Sequence, residues 1–213
     1  MMDNLTIKAV EAAYHVGLPE DAASILLIEL DGLKDGMDRL IDQVVAICKQ
    51  NKVREVRVAK TDAERDKIWA GRKGAFGAVG RLRPNYLVND PTVPRTRLPE
   101  ALAKVVEIGK KYNLPIANVF HAGDGNLHPL ILFDQRDADE LERVHKAAFE
   151  IMEICAKMGG TISGEHGIGV EKLKGMPLIF SPQDLAAMRN VKLAFDPDGV
   201  YNPGKLLPAE KAA

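Results

Sequence analysis

Apolar residues recur at helical spacing in several stretches of the chain. From Gly36 to Gln50, Met37, Leu40, Ile41, Val44, Val45 and Cys48 fall on one stripe, which predicts an amphipathic helix. Over 137–158, Leu141, Val144, Ala148, Ile151, Met152 and Cys155 do the same. Helices are also predicted over 5–16, from Arg97 to Tyr112 with Leu102, Val105, Val106 and Gly109 inward, and from Pro182 to Leu193. Thr61 has the side chain to cap a further helix carrying Ile68, Trp69 and Arg72.

Shorter runs read as strands. Ala23–Leu30 is a compact apolar run closed by Asp31-Gly32, expected to be a buried strand. Val53–Val58 alternates apolar and charged residues, as a half-buried strand does. The Gly- and Arg-rich stretch Gly74–Asn89 is expected to be a loop leading into a strand at Tyr86–Val88. Pro115–His121 and Leu127–Phe133 flank Ala-Gly-Asp-Gly-Asn and predict a hairpin. Strands interleaved with helices, with at least one hairpin, favour the α+β class. A soft boundary is expected near Gly160, where a Gly- and Pro-rich tail begins.

Composition narrows the function classes. The chain has 213 residues, 46% apolar and 28% charged, enough for a real core. Its 29 basic and 30 acidic residues leave a net charge of -1, which gives no support to a nucleic-acid partner or an anionic membrane surface. No basic region followed by an apolar run opens the chain, and Ile25 to Ile28 is far too short to span a bilayer, so no transmembrane segment and a cytoplasmic location are expected. Cys48 and Cys155 form no CxxC pair and read as buried free thiols.

The candidate chemistry lies in glycine-rich turns. In Asn118-Val-Phe-His-Ala-Gly-Asp-Gly-Asn-Leu-His128, a turn with Gly123 and Gly125 can return His121 and His128 to one end of a hairpin. Two imidazoles so placed suit a divalent metal, although two unrelated histidines beside a turn read equally well. Ser163-Gly-Glu-His-Gly-Ile-Gly169 sets Glu165 beside His166, which offers a third ligand and a neighbouring proton acceptor. Its spacing is not that of a dinucleotide-binding loop. Taken alone, Arg72 reads as part of a solvated helix face, and Asn202-Pro-Gly-Lys205 as a turn-rich tail.

Taken together, the arginine after Trp69, HAGDGNLHP, SGEHGIGVEK and FDPDGVYNPGKLLP resemble, in this order along the chain, the flavin-linked 2-hydroxy-acid oxidases and dehydrogenases. The likeness runs from about Ala22 to Pro208, and Arg83-Pro84-Asn85-Tyr86 with Asp90-Pro91-Thr92-Val93-Pro94-Arg95 point to the glycolate oxidase and D-lactate dehydrogenase type. The resemblance implies a ferredoxin-like antiparallel sheet with helices on one face over 1–160, as substrate domain. It implies a mainly helical metal- and flavin-proximal segment over 161–213, and an N-terminal FAD-binding domain absent from this chain. It makes His121, His128 and Glu165 metal ligands for zinc, or else manganese or iron. It makes His166 the base and Arg72 the holder of the substrate carboxylate, and sets Asn202 and Lys205 near the flavin. In the branch acting on a dicarboxylate, polar residues stand where this chain has Phe76, Leu130 and a position near Val88, so a small monocarboxylate such as glycolate or lactate is implied. A flavin-domain or other oxidase subunit, or a second copy in a homodimer, is the implied partner. Two other readings stay open at this point. One is a metal-dependent hydrolase; the other is a metal-binding assembly domain without activity of its own.

Overall fold

The computed structural model describes residues 1–33 and 35–209; the last four residues of the expected C-terminal segment lie outside it. The strands are β1 (Met2–Asp3), β2 (Ser24–Ile25), β3 (Asn85–Val88), β4 (Ile116–Asn118) and β5 (Pro129–Phe133). The helices are α1 (Asn4–Tyr14), α2 (Met37–Gln50), α3 (Asp62–Val79), α4 (Leu98–Tyr112), α5 (Ala138–Lys157) and α6 (Pro182–Phe195). The class is α+β, as the pattern predicts.

The central sheet runs β3-β5-β4, antiparallel throughout. The predicted hairpin is its β4-β5 pair, with Ile116 opposite Ile131 and Asn118 opposite Pro129. Alternation along β5 divides the core. Ile131 and Phe133 face α4 and α5, where they meet Val105, Ile108, Val144 and Ile151. Leu130 and Leu132 face the opposite way, toward Ile7, Val10, Ala75 and Val79 of α1 and α3. The second helical layer adds to the expected one, so both faces of the sheet are covered. After α5 the chain returns beside β3 through isolated bridges from Thr161 to Thr92 and from Ser163 to Asp90.

Local chemistry explains the helix starts. Asp3, Thr61 and Asp137 accept hydrogen bonds from the first-turn amides of α1, α3 and α5, and Ser181 with Asp184 closes a capping box on α6.

Several expectations are corrected. Gly74–Asn89 does not begin as a loop, because α3 continues to Val79. The glycines serve helix packing: a side chain at Gly74 would run into the Tyr14 ring of α1. Of Ala23–Leu30 only Ser24–Ile25 is a strand, paired with β1, while Leu26 and Ile28 are exposed. Val53–Val58 forms no strand and is exposed. Beyond Ile25 neither run pairs with a strand among the described residues, so neither gains ladder hydrogen bonds. The helix α2 forms as its spacing predicts but buries none of its residues. On α4, Val106 points outward; Cys155 is buried as expected, whereas Cys48 is only partly so.

Candidate active site

The hairpin turn places the two histidines. The His121 and Asn126 backbones bond to each other in both directions, at 3.0 and 3.3 Å, and close the loop between them. Gly125 holds a φ of 73° there, and a Cβ on it would collide with the Val93 carbonyl. His128 follows on the approach to β5 and is 2% exposed. Its ring meets His121 nearly edge-on at 5.4 Å between centroids and stacks on His166 at 5.1 Å. Phe76 of α3 closes the remaining side, edge toward His128 at 6.1 Å.

The loop after α5 supplies the carboxylate. Glu165 Oε1 lies 2.9 Å from His128 Nε2. Donor atoms of His121, His128 and Glu165 all fall within 4.8 Å of one another. His166 sits alongside, its Nε2 3.7 Å from Glu165 Oε1 and its Nδ1 3.8 Å from Asp90 Oδ1. Segments far apart in sequence thus converge at one end of the sheet.

Burial sets the electrostatics of His128. Loss of water pushes its imidazole down to about 4, against the opposing pull of the Glu165 carboxylate. The ring is therefore neutral near pH 7, with a lone pair to offer. Its Nδ1 is buried without a hydrogen-bond partner. Two imidazoles and a carboxylate, with no ammonium or guanidinium bonded to any of them among the described residues, form a donor set that fits a divalent cation.

Arg72 stands one turn before Phe76 on α3, hence on the same helix face. It is half-buried, which lowers its guanidinium, while the charge of Glu165 raises it. Among the described residues it makes no direct hydrogen bond or ion pair. Asn202 and Lys205 are not brought into the cluster. Both lie on an exposed loop after α6, where Asn202 takes a φ of 47°. Asp196 holds that loop by accepting from the amides of Val200 and Tyr201 at 2.8 and 3.1 Å.

Two residues of the quoted motifs form a buried charge pair that their motifs do not signal, Asp90 two residues beyond β3 and Lys172 after the Gly-rich loop. Asp90 accepts from the amides of Gly164, Glu165 and His166 and from Lys172. No spacing signals a pairing between residues so distant in sequence; the sole hint was a carboxylate shortly after a predicted strand.

The family model for the C-terminal domain of FAD linked oxidases matches residues 1–206. The chain belongs to that family. It is 48% identical, over 98% of its length, to glycolate oxidase subunit GlcD of Escherichia coli (strain K12), covering 42% of that protein. It is 33% identical, over 85% of its length, to a probable mitochondrial D-lactate dehydrogenase of Danio rerio, covering 37% of it. This FAD-linked oxidase domain thus spans less than half the length of these relatives. Its fold also resembles 4-ethylphenol oxidase from Gulosibacter chungangensis, with a TM-score of 0.56 at 16% identity over 83% of this chain and 38% of that one. Among the described residues no helix is long and apolar enough to cross a membrane.

Proposed function

We propose that this chain is the substrate- and metal-binding part of a flavoprotein that oxidises a small 2-hydroxy acid, glycolate or D-lactate, to the 2-oxo acid. The observation that carries this reading is the convergence of His121, His128 and Glu165 with His166 stacked against them. Relatives named glycolate oxidase and D-lactate dehydrogenase support the substrate class.

In this reading His121, His128 and Glu165 hold a divalent metal, zinc or else manganese or iron. When bound, such a metal would supply Lewis acidity that makes the substrate's hydroxyl easier to deprotonate. FAD, held mainly by parts of the protein outside these residues, supplies the acceptor for two electrons. His166, at the open side of the cluster, takes the hydroxyl proton at Nε2. Arg72 binds the substrate carboxylate with its unpaired guanidinium and fixes the orientation of C2. Phe76 sets an apolar ring against His128, which suits a short monocarboxylate and offers nothing to a second carboxylate. Asn202 and Lys205, on their exposed loop, are assigned to the flavin side.

We assign residues 1–160 to a ferredoxin-like substrate domain and 161–213 to the metal- and flavin-proximal segment. The order β3-α4-β4-β5-α5 supports the first assignment. Free thiols at Cys48 and Cys155 are in keeping with the cytoplasm. The test is substrate-dependent dye reduction by the complete flavoprotein. His166→Asn should lower the rate by about 10²- to 10⁴-fold with metal content unchanged. A variant as fast as its parent on both glycolate and D-lactate would contradict the role.

A further inference from the structure

The loop that carries Glu165 and His166 has little of its own to hold it. Both side chains are substantially exposed, at 50% and 41%, so core packing does not fix them. Ser163 Oγ takes the Gly167 amide and the Asp90 carbonyl takes that of Gly164, and beyond these the loop is held by one fully buried carboxylate. Asp90 Oδ2 accepts from the amides of Gly164 at 3.1 Å, Glu165 at 2.8 Å and His166 at 2.6 Å. Both its oxygens lie 3.1 Å from Ser163 Oγ, and Oδ1 also takes the Lys172 ammonium. Lys172 is itself 4% exposed and donates to Ser163 Oγ at 3.1 Å.

A buried ion pair is costly unless every remaining lone pair is satisfied. Here each oxygen has partners, and three successive amides converge on one of them, an anion-holding backbone arrangement. Burial alone would push the Asp90 carboxyl up, yet the His166 amide, the Lys172 ammonium and the Glu165 amide together hold it below the usual range. The ion pair thus sits where consecutive residues must present two side chains in a fixed direction.

We propose that Asp90 is a positioning residue, which grips the backbone of residues 164–166 so that Glu165 and His166 face His128. Lys172 neutralises Asp90 from the opposite side and keeps both oxygens in place. The proposal rests on the reading of this cluster as a metal and proton-transfer site. Asp90 is fully buried and stands outside the group of His121, His128 and Glu165; it acts through the two residues it holds.

The test compares the wild-type chain with Asp90→Asn/Lys172→Met, which removes both buried charges together and leaves neither unpaired. Two readouts are taken, hydrogen exchange of individual amides by NMR and visible spectra during titration with cobalt(II). The wild-type amides of Glu165 and His166 should be protected well above those of exposed loops. In the double variant that protection should be lost while the β5 amides keep theirs. Cobalt affinity should fall by about 10- to 100-fold, with altered ligand-field bands. Unprotected Glu165 and His166 amides in the wild type would overturn the proposal even if the variant fails to fold. So would a folded variant whose exchange and cobalt affinity stay within about twofold of the parent, a change far below the usual effect of losing such a support. Cobalt that fails to bind the wild type would defeat the metal reading alone, and the exchange data would still decide the role of Asp90.

Discussion

Gly164 abuts Asn126 across the site: a methyl group at Gly164 would stand 2.8 Å from the Asn126 amide oxygen and from Thr92 Cγ2. The contact joins the loop bearing Glu165 to the turn bearing the two histidines. Gly164→Ala should therefore lower stability by about 1–3 kcal/mol. Gly123→Ala, in the same hairpin turn but with open space around it, should stay within about 0.5 kcal/mol of wild type. Urea denaturation of the two variants checks the contrast, and equal losses would contradict the close approach.

The core is predicted to be uneven. Ile131 is fully buried between the sheet and α4 with α5, so Ile131→Ala should cost about 2–5 kcal/mol. Ile47 on α2 is 57% exposed, and Ile47→Ala should change stability by no more than about 0.5 kcal/mol. A large loss at Ile47 in thermal or urea unfolding would mean that α2 packs where the structure leaves it open.

The two cysteines should differ in reactivity. Burial pushes the Cys155 thiol up to about 12, which denies it the thiolate form that alkylating agents attack. In the native protein near neutral pH, iodoacetamide should modify the partly buried Cys48 and spare Cys155, as read by peptide mass mapping. The sign of the linked stability follows. The folded thiol ionises later than the unfolded one, near 9.0, so its contribution is whole below that pH and is lost as pH rises toward about 12. Cys155→Ala should flatten that part of the alkaline stability profile.

Much of the architecture was legible because its signals are local. The stripe through Val144, Ile151 and Cys155 marks α5, and the turn between His121 and His128 marks the β4-β5 hairpin. The misreadings came where burial depends on distant partners. Leu26, Ile28 and Val53–Val58 carry strand-like patterns, yet among the described residues none of them pairs with a strand. Gly74 reads as a loop residue until Tyr14 is seen packed against it. At the site, the histidines and Glu165 belong to glycine-rich motifs visible along the chain. Asp90 and Lys172 lie in motifs visible along the chain, but their pairing is not, because it exists only as a contact between distant segments.

The most direct test of the account is elemental analysis of the purified chain beside His128→Ala and Glu165→Gln. The wild type should hold stoichiometric divalent metal, or gain melting temperature on adding zinc or manganese, with both effects lost in the variants. Variants that keep full metal, or a wild-type chain that neither holds metal nor gains stability from it, would contradict the proposed centre.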